Sequence, residues 1–561
     1  MKKNEITTDA MENNDGGPAA PLHTIARVAR ARKEARQVGE KRKQRGIGFP
    51  SAGVQSNLLI VRLSLSSDDV PTVREGLRRL CGLFERIDTG EKRIDVLAGG
   101  TVERVPLGAF HFSATVGFGM GFFQTLNTPA EKRPAKLKLM PDNTVLLDPA
   151  PYVLGQTDLI IQLGSSQDFI NRWVFENALE PHELGREESA ARPAAEVPDD
   201  IVTAIRGWAV VSDVHAGFQR VDGRNLMGFN DGVSNPRRLS PLFDQTVWTT
   251  QADEGDRPDF IDGTYMVFQK IVHDLDQWRA LDRPTQEAWV GRSKGTGLLL
   301  GTIPPDEDTA LALALRSNDP AVRDPAVEKW ESLFKPQTDP TTPFYNHVGG
   351  DQHPYEGEPV YGDIPNQCPM WSHVRKANQR QEDDQYTAHY VFRRGYPYME
   401  NGPDNTISAG LLFVCFQHDL AESFEFVKTI WLNSSGFPVP LHDAQFIVDG
   451  HQVVPRVFTQ EELRFRHSRG RFTADELKAL TPDQRQLLGY ADDKAYRAAI
   501  AQATNDPRTQ ETGREGLSGP SLNGVNVDGE QVSTVALGGG YYFVPPIPDQ
   551  NIAEIGQQFF S

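Results

Sequence analysis

Strand-like and helix-like hydrophobic patterns alternate in both halves of the chain, and this mixture limits the folds open to it. Residues 61–65 alternate apolar and polar side chains, which is the period of a half-buried strand. Residues 71–86 instead repeat their apolar side chains every three or four positions, which is typical of an amphipathic helix. Asp68 or Asp69 stands where a residue capping this helix is expected.

Later segments continue the alternation. We predict strands at 110–116, 158–163, 263–271 and 410–416, a glycine-rich turn at 117–123, one helix through Phe169, Ile170, Trp173 and Val174, and one through Leu420, Phe424, Val427 and Trp431. The sequence therefore predicts an α+β protein of two units, although no internal repeat is visible in it.

A chain of 561 residues is too long for one core. We expect a basic, polar N-terminal arm at 1–50, a first module at 51–255 and a second module at 256–561. Two long polar stretches, near 303–365 and 456–530, are interpreted as surface insertions in the second module.

Charge and cysteine content exclude several classes of protein. A net charge of −18 makes nucleic acid an improbable partner, and the three cysteines contain no CxxC pair for a thiolate metal cluster. Neither a signal peptide nor a membrane-spanning apolar stretch is visible, so we expect a cytoplasmic protein without a membrane partner.

Three motifs place polar groups in tightly turned or apolar surroundings. Asp231 lies between glycines in GFNDG (228–232), His373 lies near Trp371 and two arginines, and Arg393 begins Arg-Arg-Gly after a strand-like approach. Taken singly, each has an ordinary explanation: a surface turn, an unliganded histidine or a surface ion pair.

Together and in this order, the three motifs resemble those of the dye-decolourising (DyP-type) peroxidases, a family of haem enzymes. Further matching segments are 117–119 (GFG), 224–232, 262–271, 291–292 (GR) and 538–546 (GGGYYFVPP). The resemblance extends over about residues 55–550. The N-terminal arm and the long polar stretches resemble those of the elongated members of the family.

The resemblance implies two ferredoxin-like modules with antiparallel sheets, and one haem b in the C-terminal module. It also implies that His373 is the ligand of the haem iron. Asp443 would hold the other ring nitrogen of this histidine, with Asp449 or Glu425 as alternatives.

The resemblance implies roles for further side chains around the haem. Arg375 and Arg380 would bind the haem propionates. Leu411 and Phe413 would line the peroxide side, unless they only pack in a strand core.

On the peroxide side, Asp231 would move the proton and Arg393 would stabilise developing negative charge. Because a carboxyl group of ordinary pKa is ionised down to about pH 4, we expect activity to persist in acid. Arg394 would either turn outward or reach a propionate.

The expected function is a haem peroxidase that reduces hydrogen peroxide and oxidises phenolic or dye-like organic reductants through a ferryl intermediate. The alternative is a haem-handling protein that binds haem or releases its iron without fast turnover. A structural or partner-binding protein is the third class. The partners implied are peroxide and a reductant, and a homo-oligomer is left open.

Overall fold

The computed structural model describes nearly three fifths of the chain. It describes residues 42–50, 54–98, 101–146, 148, 151–167, 171, 204–220, 223–229, 235–236, 238, 240–338, 372–377, 389–401, 407–432, 477–478, 485, 490, 494, 496–497, 500 and 534–560. All structural statements below concern these residues.

Strands and helices are mixed along the described chain. The strands are β1 Asn57–Leu65, β2 Arg93–Ala98, β3 Thr101–Pro106, β4 Ser113–Gly119, β5 Leu159–Ser165, β6 Ala209–Phe218, β7 Thr264–His273, β8 Phe392–Arg393, β9 Tyr396–Asn401, β10 Ile407–Gln417 and β11 Thr534–Val544. The α-helices are α1 Val70–Asp88, α2 Met120–Thr125, α3 Pro241–Val247, α4 Gln251–Glu254, α5 Leu275–Ala280, α6 Arg283–Val290, α7 Pro305–Leu315, α8 Pro320–Thr338 and α9 His373–Ala377. Two consecutive π-helical stretches, Leu420–Glu425 and Val427–Leu432, follow β10 and are called the π-helical segment.

The main sheet consists of two halves with the same strand order. The first half runs β6-β1-β5-β4 and the second runs β11-β7-β10-β8, with β9 also paired to β10. Numbered along the chain, each half has the order 4-1-3-2, and neighbouring strands are antiparallel, as in a ferredoxin-like module. The halves are joined where β4 pairs with β11, at Phe118–Gly119 and Tyr542–Phe543. This architecture confirms the predicted α+β class with two ferredoxin-like modules.

The sheet has two buried faces. The outer face packs against α1. Asp69, the residue before this helix, caps its first turn by accepting a hydrogen bond from Thr72 N at 3.0 Å. The inner faces of both halves enclose a second core, because β6 at one end packs against β9 at the other. Gly217 permits this approach, since a Cβ there would lie 2.7 Å from Tyr396 Cβ.

Several predicted elements shift in the structure. The strand predicted from residue 110 begins only at Ser113, because Leu107–Phe110 is a 3-10 turn and His111 after it has a positive φ of 57°. The glycine-rich turn predicted at 117–123 is wrong, because β4 runs through Gly119 and α2 follows directly. Gly119 instead serves close packing, since a Cβ there would lie 2.4 Å from Thr157 O.

The two ends of the described chain also pack into the fold. Ile47, within the predicted arm, is fully buried, and Ile547 N donates to Arg42 O. Phe559 near the C-terminus packs among the rings of Phe118 and Phe123. The domain boundaries, including the one near residue 50, stay predictions.

Part of the first predicted insertion is helical. The helices α7 and α8 pack on each other, with Leu311 and Ala326 buried around Leu298. The helix predicted around Phe169 lies outside the described residues except for Asn171. Among the described helices, none is long and apolar enough to cross a membrane.

Candidate functional site

Arg393 is half-buried at the edge of the second half of the sheet. It pairs with Cys415 across β8 and β10, so the two side chains share a face of the sheet. Leu411 and Phe413 precede Cys415 at alternate positions of β10 and therefore point to that same face. Leu411 lies close to Gly395, where a Cβ would be 3.1 Å from Leu411 Cδ1. The structure thus brings together three side chains that the sequence analysis assigned to the peroxide side.

The carboxamide of Asn235 holds Arg393 in place. Asn235 Nδ2 donates to Arg393 O at 2.7 Å, and Asn235 Oδ1 accepts from Arg393 N at 3.0 Å and from Arg393 Nε at 3.3 Å. The two terminal nitrogens of the guanidinium have no partner among the described residues. Arg393 therefore presents hydrogen-bond donors that no described residue uses, on the face that it shares with Leu411 and Phe413.

Arg394 points to the opposite face and is only 3% exposed. Its Nη1 donates to Ile47 O at 2.9 Å, and its Nη2 donates to Gln55 Oε1. The prediction that Arg394 turns outward is therefore wrong. These bonds connect the start of the described chain to the sheet. Because neighbouring residues of an extended chain face opposite sides, Arg393 and not Arg394 faces the candidate site.

The π-helical segment covers the face that carries Phe413. The Phe413 and Phe424 ring centroids are 6.0 Å apart, and Lys428 Nζ donates to Gln269 Oε1 at 2.9 Å. Gln269 is the partner of Phe413 across β7 and β10. The buried ammonium of Lys428 also lies 2.7 Å from Asp148 Oδ2.

Burial shifts the pKa of several groups on this face. It lowers the pKa of Lys428, and the Asp148 carboxylate partly opposes that shift. Burial, together with the same carboxylate, raises the pKa of Tyr152 above its ordinary range. Burial alone raises the pKa of the Cys415 thiol. Cys415 and Tyr152 therefore stay protonated at neutral pH, and Lys428 with Asp148 is the buried ion pair of this face.

His373 is half-buried and begins α9, which packs against the second turn of the π-helical segment and against α6. The next residue, Val374, packs in an apolar cluster with Leu299 and Leu300. Helix α9 therefore lies against the segment that covers the Phe413 face of β10.

Other predicted site residues are not tested by the structure. Asp231, Arg380 and Asp443 lie outside the described residues, as does the alternative Asp449, and only the backbone of Arg375 is described. The remaining alternative to Asp443, Glu425, is described and accepts from Lys138 Nζ at 2.6 Å.

Sequence reasoning missed Asn235, although it lies in the segment that contains Asp231. The signal was its place four residues after Asp231, directly before Pro236. A short polar side chain in such a turn commonly bonds to backbone groups.

The described residues fit a haem. An imidazole is a usual ligand of haem iron, apolar walls suit the macrocycle, and a cation can pair with an anionic ligand or a propionate. His373 provides the imidazole, and Leu411 and Phe413 provide half-buried apolar surface. Arg393 provides a cation whose terminal nitrogens have no partner among the described residues.

Comparison with known proteins identifies relatives. The chain is 28% identical over 252 residues to the dye-decolorizing peroxidase of Thermobifida fusca, which is 43% of this chain and 46% of that protein. It is 28% identical over 205 residues to the deferrochelatase of Yersinia pestis, which is 36% of this chain and 35% of that protein. The chain thus spans less than half the length of these curated relatives. Among solved structures, the Streptomyces lividans protein DtpA matches with a TM-score of 0.45 and 20% identity, over 70% of this chain and 87% of that chain.

Two family models match the chain in sequence order. The N-terminal model of the Dyp-type peroxidases matches residues 46–183, and the C-terminal model matches residues 222–443. Because these two matches together cover more than half of the chain, it belongs to the Dyp-type peroxidase family, a family of haem b proteins.

Proposed function

We propose that this protein is a haem peroxidase that reduces hydrogen peroxide and oxidises an organic reductant, of the phenolic or dye-like class. The observation that carries the proposal is the environment of Arg393. This arginine is half-buried, is held by Asn235, and keeps its terminal nitrogens free of described partners beside Leu411 and Phe413. A protein that only stored haem would need the imidazole and the apolar walls but no such arginine.

A bound haem would supply an iron centre that peroxide oxidises by two electrons. In the proposal His373 is the iron ligand, and Arg393 stabilises the negative charge that develops as the O–O bond breaks. Asp231 takes a proton from peroxide and returns it to the departing oxygen. Overall, one peroxide accepts two electrons and two protons and leaves as two waters, and the reductant loses the electrons one at a time.

An absorption experiment tests the proposal. We expect haem-loaded protein to show a ferric Soret band that shifts within seconds after one equivalent of peroxide, and then returns when a phenol is added. A band that does not move, or that only bleaches, would contradict peroxidase function.

The pH dependence tests the role of Asp231. Because a carboxyl group of ordinary pKa remains ionised down to about pH 4, we expect the rate with peroxide to persist below pH 6. We expect Asp231→Asn to remove most of this rate at every pH. A wild-type rate that rises only above neutral pH would indicate a base other than a carboxylate.

A haem-handling function is the second candidate, and the similarity to the deferrochelatase of Yersinia pestis favours it. The two functions differ in the fate of the iron. Haem-loaded protein would be incubated with a reductant and an iron(II) chelator, and iron-free porphyrin would be measured by its fluorescence. Release of porphyrin without any spectral reaction with peroxide would favour haem handling.

A further inference from the structure

We infer that Asn235 is a positioning residue that sets the direction of the Arg393 guanidinium, an inference that rests on the proposed function. Asn235 is half-buried, and its carboxamide makes all three of its described hydrogen bonds to Arg393. Two of the bonds go to the backbone and one goes to Nε. One side chain therefore fixes both the peptide and the root of the guanidinium.

The backbone of Arg393 requires such a partner because β8 is an edge strand. Arg394 N donates to Val414 O at 2.7 Å, so the N–H and C=O of Arg393 point away from β10. Edge backbone groups that are half-buried must be hydrogen-bonded elsewhere. Asn235 provides one donor and one acceptor at the matching positions, as an additional strand would.

The third hydrogen bond, which Arg393 Nε donates to Asn235 Oδ1, acts on the guanidinium and not on the backbone. A guanidinium is planar, so fixing Nε against Asn235 Oδ1 also restricts the plane in which the two terminal nitrogens lie. Those nitrogens are the ones without described partners. The carboxamide thus leaves both of them for an anion on the face of Leu411 and Phe413.

The place of Asn235 in the chain adds a second consequence. It follows Asp231, the residue that the proposed function uses for proton transfer, by four positions in the sequence. The same carboxamide therefore ties the arginine to a part of the chain that is close in sequence to this carboxylate.

Gln219 is a matched control, because it bonds to the backbone of Gly395, two residues after Arg393. Gln219 Nε2 donates to Gly395 O at 3.2 Å, so a carboxamide also supports the backbone there, and among the described residues it has no hydrogen bond with a guanidinium. Asn235→Ala and Gln219→Ala each remove an amide from the same stretch of backbone. Only the first removes a bond to the guanidinium.

The experiment measures fluoride binding to the ferric, haem-loaded protein by absorption titration, together with thermal unfolding. We expect Asn235→Ala to weaken fluoride binding about tenfold or more, because a misdirected cation loses a charge-assisted hydrogen bond. We expect Gln219→Ala to change it less than twofold, with a similar or smaller change of Tm. Equal weakening by both variants, or no weakening by Asn235→Ala, would overturn the inference.

Asn235→Asp supplies a second readout that a merely structural role would not change. The new carboxylate would pair with Nε and one terminal nitrogen together, which leaves the guanidinium one donor fewer for the anion. Relative to the wild type at each pH, we expect fluoride binding to weaken further as the pH rises through about 4. A constant ratio across the pH range would contradict positioning through the guanidinium.

Failure of the inference can be distinguished from failure of the proposed function. Wild-type protein that binds fluoride with the expected variant pattern but does not react with peroxide would refute the peroxidase and keep the inference. Wild-type protein that reacts with peroxide but shows no difference between the two alanine variants would do the reverse. A wild type that takes up no haem would overturn both.

Discussion

The two halves of the sheet share one strand order but differ in what lies under their helices. In the first half α1 covers the sheet with side chains such as Leu77 and Leu80, which are fully buried and apolar. In the second half the π-helical segment buries Lys428 against Gln269 and Asp148 on the corresponding face. Because the same topology folds with a dry face, the polar groups of the second half are not a requirement of the fold.

The covering helices differ in the same way. The helix α1 is regular and capped, with Pro71 in its first turn. The segment Leu420–Leu432 has wider π-helical turns, which are rare in proteins and frequent at functional sites. Its second turn packs against α9, which begins at His373. The helical segment that covers the second half is therefore irregular on the face where the candidate site lies, whereas the helix that covers the first half is not.

The largest effect is expected from breaking the buried ion pair of the second half. Lys428→Met removes the ammonium and leaves the Asp148 carboxylate buried without its cation. Losing one partner of a buried pair costs about 3–5 kcal/mol in the free energy of unfolding. Urea denaturation would measure this loss.

The double variant Lys428→Met with Asp148→Asn is the control. Because neither charge then remains, we expect it to recover more than half of the lost stability. If the double variant is no more stable than Lys428→Met alone, the loss comes from packing, and the second half is then no different from the dry first half.

The next largest effect concerns Arg393 in the haem-loaded protein. We expect Arg393→Leu to slow the reaction with peroxide about 10²–10³-fold, the usual result of losing one donor to a developing anion. The unfolding free energy should change little, because the guanidinium tip has no partner among the described residues. Stopped-flow absorption would give the rate, and a rate within about threefold of the wild type would remove Arg393 from the proposed mechanism.

Arg394→Leu should have the opposite profile. It leaves Ile47 O and Gln55 Oε1 without their donor inside the inner core, so we expect the unfolding free energy to fall by about 1–3 kcal/mol. The rate with peroxide, measured well below the Tm of the variant, should change less than tenfold. A variant of unchanged stability but much reduced rate would mean that the two arginines have exchanged roles.

Much of the fold followed from local patterns. The alternation in residues 61–65 and the apolar spacing in 71–86 correspond to β1 and α1, which confirms both. What could not be predicted depends on partners distant in sequence. The pairing of Phe118 with Phe543 joins the two halves across more than 400 residues, and no local period contains that information.

The candidate site shows the same limit. Strand alternation alone places Arg393 and Arg394 on opposite faces, but only the structure shows that Arg394 is bonded to Gln55 inside a core. The signal at Asn235 was not specific, because an asparagine before a proline is also what an ordinary turn contains. Its meaning depends on Arg393, 158 residues later, lying beside it.

The smallest effect on the free energy of unfolding is expected at Asp253, which forms ion pairs with Lys136 and His418. Asp253 Oδ1 lies 2.7 Å from Lys136 Nζ and 2.8 Å from His418 Nδ1. Burial alone would raise the pKa of Asp253, but the hydrogen bonds from His418 and Lys136 outweigh it and hold this pKa below its ordinary value. A depressed pKa contributes stability above the unfolded value of about 3.9, and this contribution is lost as the pH falls through the lower, folded value.

We therefore expect Asp253→Asn to lower the free energy of unfolding by about 1 kcal/mol at pH 6. Below about pH 3.5 the free energies of unfolding of the variant and the wild type should approach each other. Asn retains the oxygen that caps α4, so the change removes mainly the charge. Asp244→Asn is the matched control. The Asp244 side chain, which pairs with Lys43, is 57% exposed, so we expect this pair to contribute less to the free energy of unfolding. Thermal unfolding of the three proteins between pH 3 and 7 would measure this. Parallel curves for the wild type and Asp253→Asn would show that the contribution of Asp253, unlike that of the pair at Lys428, does not depend on charge.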